Sequence, residues 1–413
     1  MTIHRQPRPV SITDSAVSTH PAKRGLLAAK SYYFLYYAAI GCFAPFLNIY
    51  LKQKGLTGAQ IGWLSSIAPL IALAANPIWG SIADHWQIHR QILALCAFVA
   101  GATALFFVPV QTFWIFVALT SVLTLFRTPI TPIVDSAVMD MVKQTGDSYG
   151  RQRIWGTTSF IIVSLGLGQI LTGHALTPIF WLYASFMGIG CTVLSFFLPV
   201  EHIEKRVGLR EGMRELFGRQ DYLSFLIAVV VLGMGMASYV GFLGLYIEAL
   251  GGTEQQVGLA WTANALLEVP IMFFGKHWFE RHSPQRMIRG ALLCYILVWS
   301  LIGLSQTPAL AIAAVLGIGI CFGSFWMAAV DYVSSVAPPG LGATAQTLMS
   351  AAILGLGWSI GSVVAGYLWD IISPHAVFFF AASTAALAAL IFGIGNRGKP
   401  AMGHGQRATS DKK

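Results

Sequence analysis

Several ionisable side chains stand where a charge is costly. Arg127, Asp135, Arg153, Glu268 and Asp331 lie inside, or at the edge of, long apolar stretches. At the centre of a bilayer such a charge costs about 2.5 kcal/mol or more, so it needs a partner or a task. Arg127 stands just before Pro129 and Pro132, Asp135 two helical turns later, and Glu268 just before Pro270. Arg153 opens the next apolar stretch. A guanidinium presents a planar fork of donors that suits a carboxylate or a hydroxyl. A carboxylate among apolar neighbours loses the solvation of its charged form and becomes a candidate proton carrier. The chemistry available is therefore solute binding by Arg153, Asp135 and Arg127, with proton transfer at Glu268 or Asp135. The plainer alternative is an Arg127–Asp135 pair that only ties two helices together. Asp331 lies near the end of its stretch, where a carboxylate is less costly.

The elements that must carry these residues are membrane spans. Only 10% of the 413 residues are charged, against about 25% in a soluble domain, so most of the surface has to face lipid. Crossing roughly 30 Å of hydrocarbon takes about 20 apolar residues. Runs of that length fall near 27–50, 59–83, 91–110, 113–142, 153–173, 176–199, 222–248, 256–278, 287–305, 309–333, 343–369 and 375–395. They are continuous rather than alternating, which predicts helices and not a barrel. The fold expected is an all-α integral membrane protein of twelve transmembrane helices in two six-helix bundles. Its parts are a disordered cytoplasmic tail (1–25), an N-terminal bundle (26–199), a cytoplasmic linker (200–221), a C-terminal bundle (222–396) and a cytoplasmic tail (397–413). Within the linker, Arg210 to Phe217 has the pattern of a short amphipathic surface helix, or simply of a solvated link.

Basic residues orient the chain. With both termini inside, the tails and alternate links hold nearly all the Lys and Arg, and only Lys52 and Lys54 fall outside. That bias predicts N-in, C-in, in a cell membrane such as a bacterial inner membrane. The net charge of +9 is thus topological, and no basic patch interleaved with aromatics points to nucleic acid. The five cysteines lie in apolar runs without a CxxC pair, so neither a disulfide nor a metal site is expected.

The two halves repeat. At an offset of 196, Phe46 to Gly62 lies over Phe242 to Gly258 without gaps. Phe46, Leu47, Tyr50, Gly55, Thr57, Gln60 and Gly62 meet their like, and Asp84 and Asp135 fall over Glu280 and Asp331. A repeat of six helices in one orientation predicts a central cavity between halves and alternating access.

Two motifs carry a family resemblance. Gly80 to Arg90, GSIADHWQIHR, resembles the loop signature of the major facilitator superfamily, Gly-x-x-x-Asp followed by basic residues. Gln87 replaces the signature's second glycine, and His85 and His89 stand where Arg or Lys is usual. The resemblance implies a gate of Gly80, which lets helices approach, Asp84 and Arg90, with Glu280 and Arg281 at the repeat-related place. Tyr149 to Phe160, YGRQRIWGTTSF, resembles the start of the fifth helix in the lactose permease and phenylpropionate permease relatives. That likeness implies solute binding by Arg153, paired with Asp135 eighteen residues earlier. Leu266 to Phe274 is similar to the eighth helix of the same branch. The branch's glutamate there falls on Ala265, one turn from Glu268. The helix-ten His and Glu of the lactose permease are missing, and its helix-eleven Lys falls near Leu354, so this is no galactoside machine.

Aromatic residues abound. Tyr32, Tyr33, Tyr36 and Tyr37 are expected mostly to pack or face lipid, while Phe160, Trp261, Asn264 and Trp358 are candidates to line the cavity. Gly355, Gly357, Gly361 and Gly366 suit close helix packing. With no ATP-binding motif, the expected energy source is a proton gradient, without a cofactor. The expected partners are a small-molecule solute, protons and the lipid bilayer, with the protein as a monomer. The two arginines suit an organic anion, such as a phenylpropionate-like acid, and the two carboxylates suit the hydroxyls of a sugar or nucleoside. Drug efflux is disfavoured because the fifth span, SLGLGQILTG over Ser164 to Gly173, lacks the Gly-Pro motif of the antiporters. No histidine lies mid-span, which argues against an intramembrane enzyme; a transporter-derived sensor stays open.

Overall fold

The computed structural model describes residues 19–199, 219–274, 282–337 and 341–396. The linker with its Arg210–Phe217 segment, Glu280, Arg281 and the C-terminal tail lie outside the described residues, as does the side chain of Asp84. Among the described residues ten helices are long and apolar enough to cross a membrane. The shorter His89–Leu105 and the Pro270-containing Glu254–Phe274 complete twelve. In order these are α1 (Thr19–Gln53), α2 (Gly58–Trp86), α3 (His89–Leu105), α4 (Phe113–Arg127, resuming as Ile130–Thr145), α5 (Tyr149–Leu171) and α6 (Pro178–Ser195). The second half holds α7 (Gln220–Ala249), α8 (Glu254–Phe274), α9 (Pro284–Leu304), α10 (Pro308–Val336), α11 (Gly342–Ile371) and α12 (Pro374–Gly395).

Two expectations change. The tail expected over 1–25 is helical from Thr19 onward, because α1 continues beyond the apolar stretch that defines its membrane part. Arg127 is not midway along an unbroken helix. It ends the first segment of α4, since Pro129 and Pro132 cannot donate the backbone bonds that would carry the helix through.

The packing obeys the repeat. In the first half α1 lies against α5 and α6, and α3 against α4 and α6; in the second, α7 lies against α11 and α12, and α9 against α10 and α12. Between halves, α2 packs on α11 and α8 on α5, two contacts that exchange under the same relation. The residues shared at the 196 offset explain themselves here. Gly55 and Gly251 take positive φ angles of 89° and 83° at the α1–α2 and α7–α8 turns, a region open to glycine without a Cβ penalty. Gln60 and Gln256 each accept the backbone N–H of the threonine three residues before, at 3.0 Å. A Cβ on Gly62 would collide with the Ser362 carbonyl, and one on Gly258 with the Ser164 carbonyl. The four glycines of α11 serve as expected: Gly357 and Gly361 face the α7 backbone, Gly366 the start of α2, and Gly355 the Leu73 side chain.

These seams close one end of the molecule. Along α2 and α11 contact runs from Gly58, against Gly366, through Ser359 Oγ donating to Ser66 O at 3.1 Å, to Leu73 against Gly355. Farther on it stops: a Cβ built on Gly80 meets nothing within 4 Å. The close approach expected of Gly80 is therefore not made in this conformation, because the halves diverge at that end.

Candidate functional site

Where the halves diverge, α1, α4 and α5 bring together a polar cluster. Close approach of α1 and α5 builds it. A Cβ on Gly156 would strike the Tyr37 ring, one on Gly41 the Phe160 backbone, and Ser159 Oγ donates to Phe34 O at 2.7 Å. Tyr37 thereby lies along α5 beside Arg153. Asp135 projects from the second segment of α4, one turn after Thr131, whose hydroxyl donates to Tyr36 Oη at 3.0 Å.

The Arg153 guanidinium spends its donors on three acceptors. Nη1 reaches Asp135 Oδ1 at 3.4 Å and Tyr149 Oη at 3.2 Å, and Nη2 reaches Tyr37 Oη at 2.5 Å. It also sits 5.3 Å from the centre of the Tyr37 ring and 6.0 Å from that of Tyr33, within cation–π range. Tyr33 Oη donates to the same Asp135 oxygen. The ion pair is only half-buried, with 39% of the Arg153 side chain and 31% of Asp135 accessible. A solute entering from the open end can thus reach both without a prior rearrangement of the helices.

The pairing of Arg153 with Asp135, implied by the likeness to the permease branch, is made. The Arg127–Asp135 pair, the plainer alternative, is not made: among the described residues Arg127 forms no ion pair, and Asp135 pairs with Arg153. The tyrosines were expected mostly as packing or lipid-facing residues. Tyr32 is buried, yet Tyr33 and Tyr37 are ligands of the charged pair. Being four residues apart, they share one face of α1, but Tyr32 and Tyr36 have the same spacing, so spacing alone does not single them out.

The opposite wall comes from α7 and α8. Trp261, Asn264 and Glu268 recur at three- and four-residue steps, which places them on one face of α8. Phe160 of α5 meets Trp261 edge-on, with ring centres 6.3 Å apart. Trp261 lies 6.5 Å from Tyr239 of α7. Three polar atoms here are buried without a protein partner: Trp261 Nε1, Asn264 Oδ1 and Tyr239 Oη. Leaving such an atom unbonded costs about 1–3 kcal/mol, so they are the groups a bound solute would gain most by meeting. Glu268 forms no ion pair among the described residues and lies within electrostatic reach of Arg153, Tyr239 and Tyr295. Gly319 of α10 packs directly on the α8 backbone from Asn264 to Glu268, and Gly323 on the Ile271 side chain, fixing this stretch from behind.

The remaining candidates fall elsewhere. Trp358 is half-buried in α11, directly after a π-helical stretch, Ala351–Gly357. Asp331 lies near the end of α10. Arg90 donates from Nη2 to Leu198 O at 3.3 Å, which ties α3 to the end of α6 inside the first half. Gln87, where the loop signature has glycine, caps α2 in the left-handed region at φ 54°. That conformation is one glycine adopts without cost, which accounts for glycine in the signature.

Comparison with known proteins agrees with this architecture. The family model described as "MFS_1 like family" matches residues 26–380. A maltose permease of Geobacillus stearothermophilus is 28% identical over 366 residues, covering 87% of this chain and 92% of that protein. A probable 3-phenylpropionic acid transporter of Escherichia coli (strain K12) is 27% identical over 363 residues, covering 86% and 93%. The solved structure of the nucleoside transporter NupG superposes with a TM-score of 0.80 at 18% identity, over 91% of this chain and all of that one, a likeness of fold. The chain belongs to the MFS_1 like family and is a major facilitator transporter, not an enzyme.

Proposed function

We propose that the protein imports a small organic solute together with protons by alternating access, and that the solute is an organic acid with an aromatic or apolar body. The observation that carries this reading is the half-exposed Arg153 guanidinium, flanked by the Tyr33 and Tyr37 rings and facing the unpaired Glu268 of the other half. A carboxylate would take the guanidinium fork, and an apolar body would lie against Phe160 and Trp261. Glu268 would bind the proton that accompanies the solute. The proton gradient would supply the energy without a cofactor, and the protein would act as a monomer. With both termini cytoplasmic, the closed end faces outward and the site opens to the cytoplasm.

A second reading, symport of a sugar or nucleoside, is favoured by the hydroxyls of Tyr33, Tyr37 and Tyr149 and the unpartnered polar atoms of α7 and α8. The names of the maltose and nucleoside transporters among its likenesses fit that class. Uptake into proteoliposomes, with aromatic acids, sugars and nucleosides each tried with and without an inward proton gradient, separates the two. Gradient-dependent accumulation of a sugar but of no acid would overturn the first reading. Extrusion rather than uptake would point to efflux, and no flux of any solute to a sensor. Gating is proposed for Asp84 with Glu280 and Arg281, as the loop signature and the repeat imply. Asp84→Asn is expected to slow transport while leaving solute binding unchanged, because a latch stabilises one access state without touching solute.

A further inference from the structure

The closed end is held by two corners that the repeat makes equivalent, and they are built differently. At the α2–α11 corner all four of the first backbone N–H groups of α2 are satisfied. Gln60 takes that of Thr57 at 3.0 Å, and Thr57 Oγ1 takes that of Gln60 at 3.2 Å. The two between them go to the other half: Asp370, at the end of α11, accepts from Gly58 N at 2.8 Å with Oδ1 and from Ala59 N at 2.7 Å with Oδ2. A carboxylate at a helix N-terminus meets both unpaired donors and the positive end of the helix dipole. At the α5–α8 corner the residue equivalent to Ala59, Gln255, donates its N–H to a neutral hydroxyl, Thr172 Oγ1, at 3.2 Å. That threonine stands in the place of Asp370: Gly168 meets Glu254 and Gln255 as Gly366 meets Gly58 and Ala59, and Thr172 and Asp370 each follow four residues on.

We propose that Asp370 is the positioning residue that sets the balance between the two access states: its two bonds to the α2 N-terminus hold the closed end shut, and they must break before the site can open on that side. Asp370 contacts neither Arg153 nor Glu268, so it acts through the position of α2 rather than on solute. Three geometric facts support this role. The bonds join the two halves, they exist only while Gly58 and Ala59 lie against Gly366, and they engage the end of the seam farthest from the diverging Gly80. A carboxylate there levers the whole length of α2. The proposal needs alternating access but no choice of solute.

Hydrogen exchange of the full-length protein in lipid nanodiscs, without added solute, tests it. Asp370→Asn is expected to raise exchange about fivefold, equivalent to about 1 kcal/mol, at Gly58–Gln60. It should raise it also at Gln255–Gly258, a corner Asp370 does not touch. Exchange at the open end, over Trp79–Trp86 and Tyr149–Trp155, should slow in return, because opening one end closes the other. Asp370→Glu should restore the wild-type pattern, and Asp370→Ala should repeat the Asn result if it folds. A rise confined to Gly58–Gln60 would make Asp370 a local cap only. Exchange raised everywhere would make it a stability residue, and no change would remove its role. Each of these three results overturns the proposal, and none bears on which solute is carried.

Discussion

The two walls of the site make opposite use of polar groups. On the α1–α4–α5 wall the two charged groups are bonded to one another and to tyrosines: Arg153 to Asp135, Tyr37 and Tyr149, and Asp135 to Tyr33. On the α7–α8 wall Trp261 Nε1, Asn264 Oδ1 and Tyr239 Oη are buried without a protein partner, and Glu268 has no ion pair among the described residues. A satisfied network is rigid and holds its groups in one geometry, whereas unpartnered groups in a low dielectric gain the most when a ligand arrives. The first wall is thus organised before solute binds and suits recognition. The second is completed by what binds, which suits the coupling of solute to proton. Under the proposed function, one half would read the solute and the other would respond to it.

The most damaging test of this division is Glu268→Gln. Accumulation against a gradient should vanish, with the inside-to-outside ratio falling to unity, while exchange of labelled for unlabelled solute persists, because exchange needs no net proton release. Parallel measurements in proteoliposomes check it. Accumulation with normal pH dependence would move coupling to Asp135 or Asp331 and dissolve the contrast between the walls.

Next in size is Arg153→Lys. A single ammonium cannot span Asp135, Tyr37 and Tyr149 with the planar fork, and a charge-assisted bond is worth about 1.5–3 kcal/mol. Solute affinity should drop about 10- to 100-fold, measured by calorimetric or fluorescence titration, with the protein still folded. Full affinity in the lysine variant would mean that recognition lies on the second wall.

Tyr37→Phe sharpens the same point more gently. It removes one acceptor from Arg153 but keeps the ring over the guanidinium, so affinity should fall about fivefold, about 1 kcal/mol for one hydrogen bond.

The smallest effect on the resting protein is expected at Trp261→Phe. The indole N–H has no partner to lose, so the thermal midpoint should stay within about 1 °C, consistent with a change well under 1 kcal/mol. Solute affinity should nonetheless weaken. A destabilised protein with unchanged affinity would show that Trp261 belongs to the packing and not to the binding wall.

Much of this was legible in the residues. Run length and charge scarcity predict twelve spans, since backbone in lipid must satisfy its own hydrogen bonds and a span has a fixed length. The repeat at 196 residues carried its own explanation in Gly55 and Gly251, Thr57 and Thr253, Gln60 and Gln256, whose turns and caps are local chemistry. The Arg153–Asp135 pair came from the likeness of Tyr149–Phe160 to the permease branch, since charge alone left Arg127 an equal claimant to Asp135. Local pattern could not say which tyrosines of α1 face the pair, because Tyr32, Tyr33, Tyr36 and Tyr37 are alike in type. Only the rotation of α1 against Gly156 and Ser159 turns Tyr33 and Tyr37 inward. Nor could it find Asp370, which looks in sequence like an unremarkable end of a span. Its partners, Gly58 and Ala59, are 312 and 311 residues away. The joining of a free carboxylate to two unpaired amides over that distance is decided by how two half-molecules close, and so belongs to the tertiary structure alone.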